Sequence, residues 1–126
     1  MITLAEHQLS TDIHVSNLST SAPLSFQALL HSYLKAPAFS AHVSGLQGLT
    51  YIDKTAEGTP KIKEGRVVAD VLKFTDSVYE DAPGEYTITW PGGGLKSKTI
   101  GFKDVVLWNP GAAAGSKIGD MEEGGW

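Results

Sequence analysis

Nowhere does the chain sustain the apolar spacing of a helix for about ten residues or more. Short runs instead alternate apolar and polar side chains, and glycine, proline, serine or asparagine cuts each one short. Alternation of that kind places successive side chains on opposite faces, the signature of a strand half-buried in a sheet. The pattern confines the chain to an all-β class, antiparallel strands joined by turns and long loops, and its 14 glycines and 6 prolines suit a chain that turns often.

Taken in order, Leu9, Ile13 and Val15 fall on one face and Ser10, Asp12, His14 and Ser16 on the other, which predicts a strand over residues 8–18. Residues 17–23, rich in Ser and Thr and closed by Pro23, read as a turn. A second strand is expected over 26–34, paired back on the first as an antiparallel hairpin. On it Phe26, Ala28, Leu30, Ser32 and Leu34 share one face, and Gln27, Leu29, His31 and Tyr33 share the other with Lys35 beyond them. Pro37 ends it, because proline cannot donate to a ladder. Further short strands are expected at 39–43, 49–52, 67–71, 72–79, 86–90, 95–102 and 105–108, and residues 53–65 read as a surface excursion. Pro91-Gly92-Gly93-Gly94 reads as a hairpin turn, and Ala112-Ala113-Ala114 as one helical turn.

With 126 residues the chain fits one domain. Its net charge is −4, and Arg66 is the only arginine, so no basic stripe exists to neutralise a nucleic acid backbone. Cysteine is absent, which removes disulfides, thiolate chemistry and cysteine zinc sites together. The first residues carry neither a basic leader nor an apolar run of signal length, and no later run is long enough for a membrane span. The expectation is a soluble cytoplasmic protein with no nucleic acid and no membrane partner.

Four histidines and fourteen carboxylates are scattered without the close spacing of a metal site, so no metal is expected. The glycine run lacks a following Lys-Ser/Thr and opens no helix, so it is not a phosphate loop. No glycine-flanked serine forms a nucleophile elbow. His31, an imidazole on a face with an amide, a phenol and an ammonium, is the candidate for chemistry, although a lone strand histidine is more often a structural hydrogen-bonding residue.

Three separated motifs stand in order: Leu29-Leu30-His31-Ser32-Tyr33, Phe74-Thr75-Asp76-Ser77-Val78-Tyr79, and Asp104-Val105-Val106-Leu107-Trp108-Asn109-Pro110, followed by Gly115-Ser116-Lys117-Ile118-Gly119-Asp120-Met121. Together they resemble the glucose-6-phosphate 1-epimerases, the hexose-6-phosphate mutarotases of the galactose mutarotase-like superfamily. The resemblance implies a β-supersandwich and an isomerase that interconverts the α and β anomers of an aldose, glucose 6-phosphate or a similar sugar, without a cofactor. It further implies a monomer at full length, with a small-molecule sugar or sugar phosphate as partner. Ring opening needs one group to protonate the ring oxygen and another to take the anomeric hydroxyl proton, and an imidazole, which titrates near pH ~6.5, suits the first role. That catalytic role falls on His31. The family's sugar-binding aspartate falls on Asp76, where a carboxylate accepting hydroxyl hydrogen bonds would orient a pyranose. Trp108-Asn109-Pro110 reads as a packed strand end and turn, with a sugar contact as the alternative.

Two departures from the family set limits on this resemblance. Its general base is a glutamate on a further strand beyond the Gly115 to Met121 segment, and Glu122 and Glu123 do not match that context, so no base is carried over. Its phosphate-gripping arginines have no counterpart, since Arg66 lies outside any such motif. A large β-sandwich enzyme takes roughly 200–250 residues. The expectation is therefore a C-terminal-half fragment, lacking the N-terminal half and the last strands, inactive by itself and exposing strand edges. The rival readings are a non-catalytic carbohydrate-binding β-sandwich module and a half-sandwich whose edges pair with another chain.

Overall fold

The computed structural model describes residues 1–121, which form two compact units, Met1–Tyr33 and a second beginning at Leu34. The fold is all-β and antiparallel, as the alternating runs require.

The first unit holds a hairpin of β1 (Ile2–Ala5) and β2 (Gln8–Thr11), in register from Ile2 opposite Thr11 to Ala5 opposite Gln8. Glu6 and His7 make the turn. Asn17 anchors the next turn, accepting the Ser19 N–H (2.9 Å) and donating to the Ala22 carbonyl (2.8 Å). Here the structure departs from the alternation-based expectation. The strand predicted over 8–18 stops at Thr11, its partner is β1 rather than 26–34, and residues 26–34 form no strand. Closing two residues at Glu6-His7 costs far less chain entropy than closing the longer loop the predicted hairpin needed. Alternation states which faces side chains would take if a ladder formed; it does not supply the partner. Phe26, Leu29 and Leu30 are accordingly exposed.

The second unit holds two four-stranded sheets. One has the order β10 (Val105–Asn109), β7 (Thr75–Tyr79), β4 (Thr50–Asp53), β5 (Lys61–Lys63). The other runs β6 (Val68–Asp70), β3 (His42–Ser44), β8 (Glu85–Trp90), β9 (Gly93–Lys98). A single helical turn, α1 (Gly111–Gly115), follows β10 on the three alanines that predicted it. The β8–β9 turn is two residues, Pro91 and Gly92; proline presets φ, and Gly92 sits at φ 87°, where a side chain is strained.

The core lies between these sheets. Tyr79 is fully buried, with Leu46, Ala69 and Tyr86 around it and Val43, Tyr51, Val105 and Leu107 packed against them. Strand alternation explains the choice: on β7, Ser77 and Tyr79 turn inward, and Asp76 and Val78 turn outward. The excursion expected over 53–65 needs correction. It contributes β5 to the sheet, and beside it the backbone of Glu64 exchanges bonds with Gly48 and Leu49, carrying the Glu64 side chain into the core.

Candidate functional site

Two side-chain groups of the second unit lie on opposite faces of β7. The inward group is centred on Glu64, which is 3% exposed. The Arg66 guanidinium grips its carboxylate at both oxygens, Nε to Oε1 at 2.9 Å and Nη2 to Oε2 at 2.7 Å, and the Arg66 backbone N–H adds a third bond at 2.9 Å. The buried Tyr79 hydroxyl donates to Oε2 at 2.8 Å, and Arg66 reaches Asp70 at 3.3 Å. The Arg66 hydrogen bonds outweigh burial and hold the Glu64 carboxyl down to about 2. Burial first, then the bond to Glu64, pushes the Tyr79 phenol well up, and Glu64 raises the Arg66 guanidinium. Every polar group is satisfied, and the carboxylate has no open side. The group ties the Glu64 carboxylate and the Tyr79 hydroxyl together in the core. Its sequence trace is slight: Glu64-Gly65-Arg66 places two opposite charges at strand spacing.

The outward group is different. Asp76 sits on β7, flanked by β10 and β4, and its backbone carbonyl accepts the Lys54 N–H at 2.9 Å. Trp108 on β10 is its direct cross-strand partner, so the carboxyl and the indole stand side by side on one face. Both are half-buried. The next row along the same face is Val106, Val78 and Ile52. The flanking residues of β10 turn inward, Leu107 against the core and Asn109 buried, with Asn109 Oδ1 accepting the Gly111 N–H at 2.8 Å. The sheet therefore sets a carboxylate beside an indole on one face, next to a row of apolar residues.

His31 belongs to the first unit. It is exposed, outside any strand, and its ring lies 4.8 Å from that of Tyr33, tilted by 51°. The two side chains expected to share a face do lie together, without the ladder expected to hold them. His31 and Asp76 thus fall in different units, each placed within its own. Glu122 and Glu123, set aside as candidates for the base, lie outside the described residues.

Two hollows of the second unit lie elsewhere. A groove of about 380 Å³ runs past Ser44, Thr87, Lys96 and Lys98, and a smaller hollow of about 90 Å³ lies among Asp53, Arg66, Asp70 and Ser77. Neither includes Asp76 or Trp108. Among the described residues no group of three or more His, Asp or Glu is placed to hold a metal ion, and no helix is long and apolar enough to cross a membrane. No family model matches the chain, and no solved structure matches it.

Proposed function

We propose that this chain carries the sugar-handling part of an aldose 1-epimerase, similar to the glucose-6-phosphate 1-epimerases of the galactose mutarotase-like superfamily. The substrate is the pyranose form of glucose 6-phosphate or a similar aldose, met in the cytoplasm. Asp76 accepts hydrogen bonds from ring hydroxyls. His31 delivers a proton to the ring oxygen while a base outside these motifs takes the proton of the anomeric hydroxyl. The C1–O5 bond opens to the aldehyde, and reclosure on the other carbonyl face gives the opposite anomer. None of the matched motifs supplies the proton acceptor, so that role is left unassigned.

The observation that carries this reading is the placement of Asp76. The aspartate of a Thr-Asp-x-x-Tyr motif is turned outward on an interior strand, while Tyr79 of the same motif is fully buried. A sheet fixed on both sides of β7 holds such a carboxylate to the tolerance that substrate orientation requires. Polarimetry of the α-to-β conversion of glucose 6-phosphate, with the natural polypeptide that carries this sequence, tests it. Replacing His31 by alanine is expected to slow the catalysed rate by about 10²-fold to 10⁴-fold. An undiminished rate removes His31 from the mechanism.

The placement of Asp76, outward on an interior strand, also suits one other reading, a non-catalytic carbohydrate-binding β-sandwich module. Asp76 on its sheet needs no acid or base to bind a sugar. Saturable binding without any acceleration of anomer exchange decides for the module.

A further inference from the structure

We propose that the smaller hollow of the second unit, among Asp53, Arg66, Asp70, Lys73 and Ser77, binds a small zwitterion, an α-amino acid about the size of glycine. Its carboxylate lies against Arg66, Lys73 and Ser77, and its ammonium against Asp53 and Asp70. The inference is independent of the sugar reading, because Asp76 occupies the opposite face of β7.

Ser77 is the observation that points to a ligand. It is 5% exposed and lines the hollow, yet its hydroxyl has no hydrogen-bond partner among the described residues. A hydroxyl so enclosed is normally bonded, and whatever bonds this one must enter through the hollow. Asp53 stands directly opposite Ser77 across the β4–β7 ladder, which puts their Cβ atoms about 4.5–5.5 Å apart on one face. Thr55 donates to Asp53 Oδ1 through its N–H at 2.9 Å and its hydroxyl at 2.6 Å, two bonds to a carboxylate with about four acceptor positions. Arg66 commits two N–H groups to Glu64 and one to Asp70, so two of the guanidinium's roughly five donors remain. The Lys73 ammonium makes no hydrogen bond or ion pair among the described residues. The lining thus brings together two cations and two carboxylates with donors and acceptors to spare. A simple anion would meet Asp53 and Asp70, and a simple cation would meet Arg66 and Lys73. A zwitterion matches both pairs, and its carboxylate suits the planar edge of a guanidinium. Volume sets the size limit: 90 Å³ takes about three waters, which admits an amino acid with little side chain and excludes a sugar phosphate.

The test is a titration of the isotope-labelled full chain with glycine, followed through its backbone amide resonances. Saturable movement of the Asp53 and Ser77 resonances is expected, and acetate and methylammonium, which carry one charge each, should bind at least about tenfold more weakly. Lys73→Gln, which keeps much of the side chain and loses the charge, should weaken glycine about tenfold. Ser77→Ala, which removes only the hydroxyl, should weaken it about fivefold. Circular dichroism establishes that each variant is folded. Should Ser77→Ala fail to fold, Lys73→Gln, on the exposed connection between β6 and β7, decides. Resonances that stay in place at about 100 mM glycine overturn the proposal. Acetate binding as tightly as glycine also overturns it, since the hollow would then take an adventitious ion only. Unchanged affinity in a folded Lys73→Gln does the same. None of these results touches the sugar reading.

Discussion

Leu4 and Tyr79 both lie on antiparallel strands, yet Leu4 is 80% exposed and Tyr79 is 0% exposed. The first belongs to a two-stranded hairpin, the second to one of two stacked four-stranded sheets. A hairpin has one ladder and no second layer, so its apolar side chains have nothing to pack against. Interior strands such as β7 are bonded on both edges and covered on one face. Burial is therefore a property of the layer, not of the strand, and the two units show the same kind of sequence pattern with opposite outcomes.

The sharpest way to break that comparison is to remove its buried member. Tyr79→Ala deletes the most enclosed side chain and strips a hydrogen bond from the buried Glu64 carboxylate. Urea unfolding is expected to show a loss of about 4 kcal/mol. A loss below about 1 kcal/mol would mean the second unit has no cooperative core.

The pH dependence comes next. The Glu64 carboxyl is lowered in the folded chain, from 4.5 to about 2, so the folded state holds its proton more weakly than the unfolded state does. Its contribution is complete above pH ~4.5 and disappears as pH falls toward ~2, amounting to about 3 kcal/mol across that window. Denaturant midpoints measured through this range should fall with acid in the wild type. Glu64→Gln should start less stable and follow a flatter profile; parallel slopes would show that other carboxylates carry the effect.

Gly45 supplies a smaller, purely steric contrast. It lies just after β3 at φ 97°, and a Cβ there would stand 2.6 Å from the Glu85 carbonyl. Gly45→Ala is expected to cost about 2 kcal/mol in the same assay, because strain and a backbone clash combine. The smallest effect belongs to the hairpin. Leu4→Ala should change the unfolding free energy by less than about 0.5 kcal/mol, since no packing is lost. A cost comparable to that of Tyr79→Ala would show that the hairpin is covered in solution and erase the distinction.

Several elements were legible because their cause is local. Tyr86, Ile88 and Trp90 alternate with threonines and form β8; Pro91-Gly92 can only turn; three alanines after Asn109-Pro110-Gly111 make one helical turn. The outward aspect of Asp76 also follows from strand parity, once Tyr79 is known to be the buried residue of the motif. The failures share a different cause. Residues 26–34 have a strand's pattern without a strand's partner, and β5 lies in a polar stretch whose pairing is set by Tyr51 and Ile52 across the sheet. The Glu64, Arg66 and Tyr79 cluster is assembled from two segments, and charge in a loop-like sequence argues for solvent rather than burial.

By itself the sequence determined the class of structure, the sites of the tight turns and which side chains on each strand share a face. These depend on backbone dihedral limits and the two-residue repeat, both properties of a few adjacent residues. Only the tertiary structure decided which alternating segments found partners, that Glu64 is an internal carboxylate, and that Trp108 stands beside Asp76. Those outcomes depend on contacts between residues far apart in the chain, where the energy of one segment is set by the surface another happens to offer.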